Sequence, residues 1–350
     1  MRPSFAKACR GVSLVELMIA MTLGMMLVAV IGYAFMGARQ TFRTMDTLSR
    51  MQENARFVFE GIAYDLRMAG STGCSSATQA NVLNNPGDWD KNLFGQPLIG
   101  YEESGGAYPT GVSGSVLRGD ALTVLRAASP EYIVASHNPN AAQLQLTANH
   151  DIQQGEILVI TDCSHAAVFQ MTNVNNNGTI STVVHNTGAA TSPGNCTKGL
   201  GSPVPAPCTA NGTAYTFPPG SRILRLSAVT YYVRNNDFNE PSLYREKLAA
   251  AGGNASDAPE EMVEGVEDMQ ITYGEDTTAD HSVDDYVTAD AVGNWANVLS
   301  VRISLLMVSR QGENITSAPQ TYTYNGATVT PADRLMRKVF TSTITLRNRL

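Results

Sequence analysis

The sequence predicts an α+β fold in which one long N-terminal helix, apolar first and amphipathic after, packs on a largely antiparallel β-sheet head. Three observations carry this prediction. Leu17 to Phe35 is a run without a single charge. From Phe42 to Leu66 apolar residues recur at steps of three and four. After Gly70 the chain changes to short β-like runs separated by turn-rich stretches.

The helix begins at the apolar run. From Val12 to Ala38 the one charged residue is Glu16. As a helix, Leu17–Phe35 spans roughly 29 Å, about one bilayer core. A secretory signal peptide would end in a small-x-small cleavage site; Gly32-Tyr33-Ala34 offers one, but the apolar run is too long for that reading. A plain membrane anchor fits the length and leaves Glu16 unexplained. A carboxylate inside such a run costs on the order of 2.5–3.5 kcal/mol, so it needs a partner or a role. The basic leader residues Arg2, Lys7 and Arg10 suit a cytoplasmic N-terminus, although Arg39, Arg43 and Arg50 follow the run and weaken that bias.

Beyond the run, Phe42, Met45, Leu48, Met51, Ala55, Val58, Phe59, Ile62 and Leu66 form an apolar stripe with charged residues between them. Gly70 is a good stop, so the helix is expected over 12–69, about 87 Å long. Gly24, Gly32 and Gly37 mark places for close helix approach or local bending.

Strands are expected at Ala121–Ala127, Gln143–Thr147, Ile157–Thr161, Ala167–Val174, Thr179–His185, Arg222–Asn235, Ser242–Leu248, Met269–Tyr273, Val298–Arg310 and Lys338–Arg347. Met262–Asp268 reads as a short helix leading into a strand. Asn186–Gly220, rich in Thr, Pro, Gly and Asn, reads as an exposed loop. The expected division is a leader over 1–11, a membrane or filament-core half-helix over 12–38, an amphipathic half over 39–70, and a globular head over 71–350.

The net charge of −7 gives no basic surface for nucleic acid. Cys9 precedes the apolar run; Cys74, Cys163, Cys196 and Cys208 follow it without C-x-x-C pairing. Disulfides in an oxidising compartment are therefore expected rather than zinc or thiol-redox chemistry. Cys196 and Cys208 bracket a short Pro- and Gly-containing loop, which favours that pair and leaves Cys74 with Cys163; other connectivities stay open.

Catalytic constellations are missing from the sequence. His137, His150, His165, His185 and His281 show no metal-ligand spacing, and there is no G-x-S-x-G elbow or phosphate-binding Gly loop. His165 beside Cys163 is read as a surface histidine next to a disulfide. Asp276, Asp280, Asp284, Asp285 and Asp290 are weak calcium candidates, with a solvated acidic loop as the default. No cofactor and no enzymatic activity are expected.

The string Arg10-Gly11-Val12-Ser13-Leu14-Val15-Glu16-Leu17 resembles the class III signal of type IV pilins and pseudopilins. That resemblance implies cutting after Gly11 by a prepilin peptidase, methylation of the new terminus at Val12, and pairing of Glu16 with the terminal amine of a neighbouring subunit. Asn54-Ala55-Arg56-Phe57, Asp65-Leu66-Arg67-Met68-Ala69-Gly70, Asp162-Cys163-Ser164, Ala167-Val168-Phe169-Gln170, Val263-Glu264-Gly265-Val266-Glu267-Asp268-Met269-Gln270 and the region 334–349 resemble PilW-type minor pilins. The resemblance implies a minor pilin that inserts in the inner membrane and primes pilus assembly at the tip. Its implied partners are other minor pilins, the major pilin, the prepilin peptidase, the inner-membrane assembly platform and a large tip adhesin. Adhesion, motility and DNA uptake all remain open as the downstream phenotype. The alternatives are a J-type minor pseudopilin of type II secretion and a single-pass membrane-anchored periplasmic binding protein.

Overall fold

The computed structural model describes residues 11–346 except 75–77, 89, 106–107, 110–111, 113–117, 178–179, 189, 202–207, 311 and 314; the side chains of 174–177 and 180–181 are also not described. Residues 1–10, expected to form a leader and containing Cys9, lie outside the described residues, as do the last residues of the 334–349 stretch.

One helix, Leu14–Arg67, spans about 81 Å by its rise per residue. Ser13 caps it, and it ends two residues earlier than the periodicity alone suggests. Gly70 adopts the left-handed conformation (φ +73°) just past its end, and its N–H bonds to the Leu125 carbonyl at 2.8 Å. That bond turns the chain into the head.

The second half of the helix buries Met51, Ala55, Val58, Ile62 and Leu66, a stripe at three- and four-residue steps. These side chains share one core with Val301, Ile303, Leu305 and Met307, the alternate residues of strand Val298–Val308. Each large side chain so buried contributes about 1.5–3 kcal/mol. The sheet behind this core runs Asp285–Val287, Val266–Glu275, Val298–Val308, Arg337–Thr345, all antiparallel.

A larger sheet completes the head. The strand Arg118–Asn138 pairs with Arg222–Asn235, and Ile157–Thr161 and His165–Gln170 follow on the far side of that strand. Thr78–Asn81 joins His165–Gln170 in parallel, while the other pairings are antiparallel. The hairpin Pro241–Ala251 and Asn254–Glu264 hangs from Arg222–Asn235. The α+β arrangement read from the sequence is the arrangement observed.

Three local expectations need correction. Met262–Asp268 is no helix: it is the end of strand Asn254–Glu264 and the start of Val266–Glu275. Gly265 between them is left-handed (φ +80°), and a Cβ there would meet the Val308 carbonyl oxygen at 2.7 Å. Its N–H and C=O are bonded to Pro241 and Val308, so long-range pairing overrides the helix-like spacing. Ala167–Val174 is split between His165–Gln170 and Asn173–Asn177. Among its described residues the region 186–220 is irregular, as expected, but only part of it is exposed. Thr191, Asn195, Leu200 and Phe217 are buried in it. The Asn195 amide gives and takes 2.7 Å bonds with the Gln170 backbone, so a side chain does the work of a neighbouring strand.

The helix end is fastened to the head by a buried charge cluster. Asp65, 5% exposed, accepts from Arg126 Nε at 2.7 Å and from the Tyr231 hydroxyl at 2.6 Å. The guanidinium also lies 4.9 Å from the Tyr64 ring centre. Burial, and next the Asp65 carboxylate, push the Tyr231 hydroxyl far above its ordinary range, so it stays a donor.

Removing one member strands the others. Asp65→Ala should therefore destabilise the head by about 3–5 kcal/mol, and Asp65→Asn by less. Denaturant unfolding of the full chain in detergent measures this; a change under about 1 kcal/mol for Asp65→Ala would contradict the reading.

Candidate filament-packing segment

The residues expected to carry function sit on the first half of the helix, where the head gives no cover. Gly11 through Arg43 are exposed throughout. Val12 is 73% exposed, and Leu14, Leu23, Leu27, Ile31 and Phe35 are all more than half exposed. The span has a mean hydropathy of 2.4 over its most apolar window, long and apolar enough to cross a membrane. A rod of this kind has no stable place in water alone; it needs lipid or other helices around it.

Glu16 already has local work in the single chain. Ser13 Oγ accepts from the Glu16 N–H at 3.2 Å, and Glu16 Oε2 accepts from the Ser13 N–H at 2.9 Å. This is a capping box at the positive end of the helix dipole, where a carboxylate is favoured. The side chain is exposed, so its remaining acceptor capacity faces outward. A Cβ placed on Gly24, Gly32 or Gly37 would meet nothing within 4 Å, so the head does not require these glycines.

The head first touches the helix at Gln40, whose side-chain amide donates to the Ile315 carbonyl. Arg50 with Asp46 and Arg56 with Glu60 are exposed i,i+4 pairs that solvent screens and that carry little weight in stability.

The cysteines pair as favoured from the loop argument. Cys74–Cys163 and Cys196–Cys208 are disulfides, with Cα atoms 5.3 and 4.9 Å apart. His165 is occupied elsewhere: its ring stacks on Tyr215 at 3.7 Å, and Tyr215 donates to Asp162 at 2.5 Å. Burial pushes the Asp162 carboxyl up, but the bonds it accepts from Tyr215, His165 and Ser164 together outweigh this and hold it down at about 2.

The acidic loop is folded around its own carboxylates. Asp276 accepts from the N–H groups of Thr278, Ala279, Asp280 and His281, and Asp284 from those of Thr277 and Thr278. Asp280 caps Ser282, and the Asp285 carboxylate accepts from the Tyr286 N–H. Among the described residues no group of three or more His, Cys, Asp or Glu could hold a metal ion.

The sequence did not point to one cluster of histidines. His137 and His185, buried in the large-sheet lobe, meet Nε2 to Nε2 at 3.2 Å. His137 Nδ1 accepts from the Phe217 N–H at 3.1 Å, so in the neutral pair its Nε2 carries the hydrogen. Burial lowers His137 to about 4 and His185 to about 3. Their spacing, 48 positions apart in the chain, gave no motif to find.

Both folded values lie below the ordinary 6.5, so the unfolded chain binds protons first. The pair's stability is therefore full above about pH 6.5 and declines as the pH falls toward 4. The slope should approach ~1.4 kcal/mol per pH unit for each histidine. Asp120, raised to about 7 by burial, acts in the opposite sense, which makes the comparison with a variant necessary. Unfolding of wild type and His185→Phe between about pH 6.5 and 4.5 should give the variant a shallower acid slope; parallel curves would contradict it.

Residues 230–348 match the family model described as type IV pilus-assembly protein W (PilW). Residues 6–32 match the prokaryotic N-terminal methylation motif. Neither a curated protein nor a solved structure matches the chain.

Proposed function

We propose that this chain, a type IV pilin-like protein of the PilW type, is a minor pilin that primes pilus assembly. Its N-terminus would be cut by the prepilin peptidase after Gly11 and methylated at Val12. The chain would rest in the inner membrane with its head in the periplasm, and then enter a filament at the cell surface. The observation that carries this reading is the helix span over 14–38, apolar but for Glu16 and exposed along its whole length, behind a methylation-motif N-terminus.

The work of such a subunit is packing. In the bilayer the apolar half is solvated by lipid; in a filament the same surface is solvated by neighbouring helices, so the transfer costs little hydrophobic energy. Specificity then falls to the one acid. Glu16 gives one oxygen to the Ser13 N–H and keeps acceptor capacity for the cationic terminus of a neighbour. That pairing compensates both charges in a medium where either alone is costly.

The head would set the position of the subunit. Its partners would be other minor pilins, the major pilin and the inner-membrane assembly platform, with a large tip adhesin above. A tip location suits a head that carries the long hairpin 241–264, which would have to be accommodated between neighbours farther down a shaft.

Glu16→Ala is the direct test of the packing mechanism. The head should unfold at the same denaturant midpoint as wild type. Recovery of the protein in sheared filaments should drop by at least about tenfold, the factor that ~1.4 kcal/mol of lost pairing carries. Normal recovery with Glu16→Ala would count against filament packing through this carboxylate.

A further inference from the structure

The edges of the two larger sheets are managed unequally. Asp285–Val287, one edge of the four-stranded sheet, is only three residues long. Thr78–Asn81, one end of the larger sheet, is four. The outer edge of Asn254–Glu264 carries Asp257, Pro259, Glu260, Glu261 and Glu264, the charges and proline that discourage pairing. Arg337–Thr345 has none of this protection beyond its first two residues, Lys338 and Arg337, the latter held by Glu267 and Asp333. It is nine residues long, contains no proline and pairs with Val298–Val308 without a register shift. Its Val339-Phe340-Thr341-Ser342-Thr343-Ile344-Thr345 run is rich in residues that favour strands. Among the described residues no second strand lies on its outer side.

That open edge is not simply bare. It borders a groove of about 930 Å³ between the strand and the helix. Phe340, Ser342 and Ile344 face the helix side, being paired with Leu305, Ile303 and Val301 of the shared core. Phe59, Ala63 and Tyr64 form the opposing wall. Tyr64 is 58% exposed. A strand edge beside a helix, with aromatic side chains between them, is the geometry by which an extended peptide adds to a sheet.

The charges choose among occupants. The chain is acidic overall, yet Arg67 lines the groove and Lys338 lies at the start of the strand. Both are exposed, and neither is held in an ion pair among the described residues. Arg56 is the other cation on the wall, and Glu60 already pairs with it.

We propose that the edge of Arg337–Thr345 is a docking site for an extended strand of a partner polypeptide, one with β-branched or apolar residues at alternate positions and a carboxylate at its flank. The backbone of the incoming strand supplies the ladder bonds. Its alternate side chains enter between Phe340 and Tyr64, and its carboxylate meets Arg67 or Lys338. The inference concerns the head and does not rest on cleavage, methylation or the minor-pilin reading.

The test uses the full chain in detergent and a synthetic peptide, acetyl-Glu-Thr-Val-Thr-Val-Thr-Glu-amide, read by backbone hydrogen exchange. With peptide in excess, amides within 337–345 should exchange about tenfold more slowly, and the edges at 78–81 and 254–264 should not change. Thr343→Lys, an exposed position on the strand, should abolish the protection; Arg67→Glu should weaken it and leave the head's unfolding midpoint unchanged. No protection at millimolar peptide, or equal protection of the other edges, would overturn the site. Protection that appears without peptide as the protein concentration rises would overturn the foreign strand as occupant in favour of a second copy.

Discussion

The structure is governed by a helix that its own head covers for only half of its length. Met51, Ala55, Val58, Ile62 and Leu66 are buried against the sheet, whereas everything from Leu14 to Arg43 is exposed. The exposed part carries the apolar window, so its burial must come from lipid or from other helices. The division also explains the placing of charge. Glu16 lies at the helix start, where the dipole and Ser13 favour a carboxylate, and the next charge is Arg39, beyond the apolar run.

For such a helix to set the orientation of a head, the joint between them must be stiff. Four kinds of contact converge on it. The apolar stripe seats the helix on the sheet. Asp65 ties its last turn to Arg126 and Tyr231, which come from two adjacent strands of the larger sheet. Gly70 and Ser71 then bond to Leu125 and Ala127 of the first of those strands. Cys74, a few residues on, is linked to Cys163 beside the strand Ile157–Thr161. Within ten residues the chain passes through an ion pair, backbone bonds and a disulfide to the same sheet. An apolar core alone would permit sliding along the helix; the directional contacts fix register.

How much of this was legible in the sequence follows from how local each signal is. The helix and its stop are written in neighbouring residues: the three- and four-residue steps and Gly70. The alternation of Val301, Ile303, Leu305 and Met307 likewise needs only its own strand. The Cys196–Cys208 pair was accessible because both ends frame one short loop. The Asp65 cluster was not, because Arg126 and Tyr231 stand 61 and 166 positions away. Asp65 itself looks like one more charge on an amphipathic helix. The same limit explains Met262–Asp268, where helical spacing yields to the pairing of Gly265 with Pro241 and Val308. Composition misled at 186–220, because Asn195 and Gln170 exchange backbone-like bonds that a Thr-, Pro- and Gly-rich segment does not announce. For the candidate site the leader string and Glu16 were readable directly, whereas the open edge of Arg337–Thr345 depends on which strands lie beside it.

A filament subunit must keep the apolar half-helix and lose the basic residues before it, so the fate of the N-terminus decides whether this chain is one. Intact mass and N-terminal analysis of the membrane-extracted protein, made with and without the prepilin peptidase, measures that fate directly. The expected result is a chain that begins at methylated Val12 when the peptidase is present and at Met1 when it is absent. A chain that keeps Met1 in both cases, or is cut near Ala34 so that the apolar half-helix is lost, would contradict it.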